Sequence, residues 1–205
     1  MKRVLILASV MMLSVGAFAQ QSAGTITIQP KVGMNVANYA SSEDSKPRVG
    51  LAAGAEFEYQ ISKLLSVSAG VMYSMQGAKH SSNFNIPFQQ SIKTTTTWKT
   101  DYINIPIVAN VYVFKGLALK VGVQPGFNVL AKALRTTEGV ETSASLSDLG
   151  IDVQAFDFAI PVGLSYEYKN IVLDARYNIG VVKFAEHLDY RNRVFQLTLG
   201  YKFRL

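Results

Sequence analysis

The sequence contains no cysteine. Disulfides, thiol nucleophiles and thiolate metal sites are excluded, as is a lipid anchor on a cysteine behind an export leader. Histidine occurs only twice, at His80 and His187, so no metal-spaced histidine cluster exists. Charged residues make up 17% of the chain, against roughly 25% in soluble domains. The lysines and arginines form no run of the kind that marks a nucleic-acid-binding face, so nucleic acid is not an expected partner. No Gly-rich phosphate loop is present, and no cofactor is expected. Beyond the N-terminus, no apolar run reaches the ~18 residues that a helical membrane span needs.

Aromatic residues, by contrast, are plentiful, with ten Tyr and eleven Phe. Residues 1–19 read as a signal peptide: Lys2 and Arg3 begin it, Val4 to Val15 form a short apolar core, and Ala17-Phe18-Ala19 fits the small-x-small cleavage rule. Gln20 would then start a mature domain of residues 20–205. Without Lys2 and Arg3, 18 basic residues stand against 14 acidic ones, a net +4.

The mature chain alternates with period two, as a strand does when its two faces meet different surroundings. In 195–205, Phe195, Leu197, Leu199, Tyr201, Phe203 and Leu205 alternate with Gln196, Thr198, Gly200, Lys202 and Arg204. The same pattern recurs in 26–36, 50–59, 66–75, 103–113, 117–124, 156–168 and 171–181. That makes eight strands. Ser62-Lys63, Lys115-Gly116 and Lys169-Asn170 are tight turns recurring every 53 to 54 residues. The other connections, about 40–47, 79–98, 132–153 and 184–190, are longer and polar. Short turns at one end and long loops at the other characterise outer-membrane barrels. The expected fold is all-β, an eight-stranded antiparallel up-and-down transmembrane β-barrel.

The bulky apolar face would meet lipid, and the face rich in Gly, Ala, Ser and charge would line the lumen. Eight strands leave an interior just wide enough for side chains. By parity the lumen receives Lys31, Lys120, Arg176, Lys202 and Arg204, with Glu56, Glu58, Asp157, Glu167 and Asp174. Buried charge is tolerated only when paired, so these ten are expected to form a plugging network. Tyr59, Tyr112, Phe114, Tyr166, Tyr168, Tyr201 and Phe203 fall near the tight turns or the C-terminus and read as an aromatic girdle at one interface. Trp98, after the Thr94–Thr97 run, reads as an outer-interface residue.

On these features the chain resembles the small outer-membrane β-barrel family common in Bacteroidetes, porin-like or OmpA/OmpX-like. The resemblance covers roughly residues 20–205. It rests on the leader, the turn spacing, Ile105-Pro106 and Ile160-Pro161, and the ending Leu199-Gly200-Tyr201-Lys202-Phe203. That ending is similar to the signal read by the barrel-assembly machinery, although Phe203-Arg204-Leu205 departs from the common terminal aromatic. The resemblance implies no shared catalytic residues.

Catalysis would have to use His80 with Ser81 and Ser82, or Glu186, His187 and Asp189. Adjacency in sequence does not orient a triad, and solvated loop residues are the simpler reading. Glu138, Glu141, Asp148 and Asp152 lack the regular spacing of a Ca²⁺ loop, so no metal is expected. The sequence favours a non-enzymatic barrel with a structural or loop-display role. Its partners would be outer-membrane lipid, the assembly machinery during insertion, and an extracellular ligand at the loops. A narrow solute channel, a lipid-modifying enzyme and a soluble calycin-like carrier are the alternatives.

Overall fold

The computed structural model describes residues 22–40, 45–84, 92–137, 140–184 and 190–205. The chain forms β1 (Ile26–Ala40), β2 (Ser45–Gln60), β3 (Leu65–Phe84), β4 (Ile92–Asn104), β5 (Ile107–Phe114), β6 (Leu117–Thr137), β7 (Val140–Ser145), β8 (Phe156–Tyr168), β9 (Ile171–Gly180), β10 (Arg191–Tyr201) and β11 (Phe203–Arg204). All pairings are antiparallel, and β1 closes the ring on β10 from Lys31↔Gly200 to Ala40↔Arg191. The wall has eight staves. β4 and β5 form one stave, β10 and β11 another, and β7 stands outside the ring on β6.

The interruptions have local causes. Pro106 has no N–H and cannot continue a ladder. Around it, Ile105 N–H donates to the Pro125 carbonyl at 2.8 Å, and Gly70 N–H donates to the Pro106 carbonyl at 3.1 Å. The stave thus changes partners without opening. At the tight-turn end, Lys169 (φ 47°) and Asn170 (φ 70°) are both left-handed, as a two-residue hairpin matched to strand twist requires.

Alternation of burial follows the sequence pattern through the middle of every stave. Val32, Leu51, Val71, Leu119, Leu164 and Leu199 are exposed on the outer face. Small inward residues make room for long ones. A Cβ at Gly70 would lie 2.7 Å from Glu56 Cγ, and one at Gly163 would lie 3.1 Å from Arg176 Cγ.

The long connections are shorter than the sequence suggests. β3 and β4 stay paired out to Phe84↔Ile92, so most of 79–98 is hairpin. Within 132–153, β6 continues to Thr137 and β7 pairs back from Val140↔Thr137 to Ser145↔Lys132. These strands rise beyond the apolar belt, where the outer face meets water. Their Thr-rich sequence favours extended backbone but carries no apolar–polar alternation to mark it.

Candidate functional site

Among the described residues, titratable groups from distant strands converge in the lumen. Arg176 of β9 is almost fully buried, and its guanidinium donates to both oxygens of Glu56 on β2 at 2.7 Å each. It also donates to both oxygens of Asp174, at 2.9 and 2.7 Å. Lys31 of β1 lies 2.8 Å from Glu56 and 3.2 Å from Asp174. Lys120 of β6 lies 2.7 Å from Asp174. Three cations thus surround two carboxylates, an excess of one positive charge. Such forked guanidinium–carboxylate contacts are strong and geometrically exacting.

Toward the tight turns lies a second group with the opposite excess. Lys202 Nζ stands 2.9 Å from Glu58 and 2.9 Å from Glu167. Ser66 donates to Glu58 at 2.6 Å. The Tyr112 hydroxyl also donates to Glu58 and accepts from Lys202 at 3.1 Å. The two groups together hold four cations and four anions.

Two of the ten residues assigned to the lumen network lie apart from these groups. Asp157 is buried but sits near the outer end of β8. There it accepts from Asn192 at 2.9 Å and from the Phe158 N–H at 2.9 Å, with amides rather than cations facing it. Arg204 is exposed at the rim, because β11 lies beyond the strand break at Lys202. The tyrosine expectation also needs one correction. Tyr112 shares the inward parity of Asn110, so it joins the Glu58–Lys202 group instead of the girdle. Tyr59, Phe114, Tyr166, Tyr168, Tyr201 and Phe203 are exposed on the outer face.

One buried ion pair escaped sequence reading. Arg48 lies 3.3 Å from Asp101 and donates to the Gln76 carbonyl. The register shifts between Pro47 and Ala52 on β2, and between Asp101 and Tyr102 on β4. Arg48 keeps the inward parity of Ala52 and Glu56 but precedes the 50–59 run read as strand. Asp101 is buried despite sharing the parity of exposed Ile103, beside a register shift, as bulges allow.

Above the charges the interior turns apolar. Tyr39, Ala78, Ala133, Leu146 and Phe184 form a buried cluster, with Trp98, Ile151, Val153 and Tyr190 packed on it. The Tyr39 ring is 4.8 Å from Phe184 and 6.1 Å from Trp98, and Trp98 stacks on Phe184 at 6.0 Å. Trp98 therefore turns into the barrel mouth, correcting its assignment to the lipid interface. The segment after β7 is pinned across this mouth. Leu146 N–H donates to Ala131, and Gln154 N–H donates to Phe184, at 3.2 and 2.9 Å. Leu146 is fully buried beneath it.

The chemical alternatives gather no support from this geometry. His80 is exposed, and Ser81 meets Thr95 Oγ1 at 3.5 Å. Glu186, His187, Asp189 and Glu138 lie outside the described residues. Glu141, Asp148 and Asp152 are exposed, and among the described residues no cluster of three or more metal-ligating side chains occurs.

The model of the outer membrane protein beta-barrel domain matches residues 18–186. The match identifies a domain family, not a source lineage. Comparison with curated proteins gives no sequence match. Among solved structures, Ail of Yersinia pestis is 17% identical, with 88% of this chain and 99% of that chain covered at a TM-score of 0.47. Neisserial surface protein A is 15% identical, over 87% and 97%, at 0.48. The N-terminal barrel of Pseudomonas aeruginosa OprF is 10% identical, over 89% and 100%, at 0.44. Likenesses this distant carry no functional argument. By its family match, and in keeping with its closed eight-stave wall, the chain belongs to the outer membrane protein beta-barrel domain family.

Proposed function

We propose that this chain is a non-enzymatic barrel of the outer membrane with a closed lumen, whose role is carried by the hairpins at its outer end. The observation that supports the reading is closure at two levels. A paired charge cluster fills the middle of the lumen, and an aromatic cluster fills its mouth. Lys31, Glu56, Asp174 and Arg176 are each at most 4% exposed, so these charges are paired with one another rather than hydrated. A solute channel would instead keep its lining charges hydrated. A calycin-like carrier would need an apolar cavity where the two charge groups of this lumen place eight charges.

The β3–β4 and β6–β7 hairpins extend past the apolar belt and offer Thr, Ser and basic side chains to the outside. Loops and hairpin tips on rigid scaffolds are where such proteins bind partners. Residues 1–19 act as a cleaved leader in this reading, and the Leu199–Phe203 ending serves recognition by the assembly machinery. The test is conductance of the purified barrel in planar bilayers. The reading calls for no lasting conductance steps. Stable open steps from the unaltered protein would overturn it in favour of the channel. Intact-mass measurement of barrel extracted from membranes checks the leader, with Gln20 as the expected first residue.

A further inference from the structure

An unbroken row of lysines crosses the outer face near the upper end of the wall. Lys46 of β2 is the register partner of Lys79 of β3. Lys79 faces Thr97 of β4, which sets Lys99 at the diagonal position on the same side. Lys99 is in turn the register partner of Lys132 of β6. Alternation fixes that side. Ala78, Trp98 and Ala133 turn inward to the aromatic cluster, so their neighbours Lys79, Lys99 and Lys132 turn outward. Lys46, Lys79 and Lys132 are exposed, and Lys99 is half-buried.

Like charges directly opposite each other on a sheet repel, with Cβ atoms only about 5 Å apart. Yet among the described residues none of these four ammonium groups has an ion pair or hydrogen bond. Asp101 lies two residues from Lys99, but its carboxylate is held by Arg48 at 3.3 Å and by the Tyr73 hydroxyl at 2.7 Å. Glu141 pairs with Thr136, four residues beyond Lys132, or roughly 13 Å at 3.3 Å per residue. Among the described residues, none supplies this row with a counter-charge.

The height of the row says what could. Val49, Leu51, Val71, Ile103 and Phe127 are exposed apolar residues below it, and Ser81, Thr95 and Thr136 lie above. From Tyr59 to Lys46, β2 climbs roughly 33 Å at about 3.3 Å per residue and a tilt of about 40°. That exceeds the apolar band of about 25 Å and reaches the head-group layer. Three strand spacings of about 4.8 Å spread the amines over about 14 Å, more than one phosphate can bridge.

We propose that Lys46, Lys79, Lys99 and Lys132 clamp the phosphates of a glycolipid of the outer leaflet that bears more than one phosphate group. The proposal rests on the outer-membrane reading above. It is tested with the full mature barrel in nanodiscs of zwitterionic phospholipid. The discs are doped in turn with a bis-phosphorylated glycolipid, its dephosphorylated form, or phosphatidylglycerol, and bound lipid is counted by native mass spectrometry. Retention of the phosphorylated form over the dephosphorylated one should be about tenfold or more, as expected for several lysines at an anionic surface. The K46Q/K79Q/K99Q/K132Q variant should bring that ratio to about one.

Equal retention of the two glycolipids by the unaltered barrel overturns the clamp, and needs no variant to fold. So does equal retention of phosphatidylglycerol, or displacement of the glycolipid by millimolar inorganic phosphate, which would make free phosphate the ligand. Absence of the chain from the outer-membrane fraction of cells would defeat the underlying reading instead. Presence there with no lipid preference defeats only the clamp.

Discussion

The two ends of the interior are filled by opposite materials, although β1 and β6 line both. In the middle of the barrel the inward residues of β1, β2, β6 and β9 are Lys31, Glu56, Lys120, Asp174 and Arg176, each closed by an ion pair. Higher up, the inward residues are Tyr39, Ala78, Trp98 and Ala133, packed like the core of a soluble protein. The difference follows the medium outside. Where the wall meets lipid, the apolar residues face out and the interior takes the polar ones, which must satisfy one another. Where the wall rises into water, the interior reverts to the ordinary rule that apolar surface is buried. The changeover happens along single strands such as β3.

The largest effect that would break this comparison lies in the charge cluster, where the count of each sign matters more than the number of bonds. Glu56→Gln leaves three cations around one carboxylate and should cost on the order of 3–5 kcal/mol, the penalty for an unpaired buried charge. Arg176→Met leaves two of each sign and should cost less, although Arg176 makes more hydrogen bonds. In the rim group the order reverses, with Lys202→Met worse than Glu58→Gln. Urea unfolding in lipid vesicles measures all four, and equal losses for Glu56→Gln and Arg176→Met would contradict the charge-count argument.

The aromatic mouth should matter less. Phe184→Ala removes a buried ring, a change that costs about 3–5 kcal/mol in a well-packed core. Here the loss should fall on the Leu146–Gln154 segment, so global stability should drop by no more than about 2 kcal/mol. Proteolysis within that segment should quicken, while bilayer conductance stays absent because the charges below still close the lumen. Conductance appearing in Phe184→Ala alone would show that the cluster beneath does not seal.

The smallest effect separates Tyr112 from its outward neighbours. Tyr112→Phe removes a hydroxyl shared by Glu58 and Lys202 and should cost about 1–2 kcal/mol. Tyr59→Phe, on the exposed face, should change unfolding by less than about 0.5 kcal/mol.

Period-two alternation made the eight staves, the tight turns and most inward charges readable, because each membrane-level strand separates lipid from lumen residue by residue. The rest was hidden for identifiable reasons. Arg48 lies before the run that alternation marked as strand, and Asp101 is buried against the parity of its strand beside a register shift. Trp98 has the composition of an interface residue, and only the presence of Tyr39 and Phe184 across the mouth explains its inward turn. Beyond Ala133 the β6–β7 hairpin has, among its described residues, none buried on either face and so has no alternation to display. Tyr112 was legible by its own parity with Asn110, and nearness to a turn misdirected the reading.

The Arg176–Glu56 contact joins residues 120 apart in the chain, and that has a consequence for how the barrel is made. The first three strands bring Lys31, Arg48, Glu56 and Glu58, and the later ones bring Asp101, Lys120, Glu167, Asp174, Arg176 and Lys202. Arg48 meets Asp101, Glu58 meets Lys202 and Glu56 meets Arg176 only across the two halves. Neither half can satisfy its buried charges alone. An unclosed sheet would expose these groups to lipid at a cost no hydrocarbon environment tolerates. Ring closure and stable residence in the bilayer are therefore a single event for this chain, and a half-assembled barrel has no resting place in the membrane.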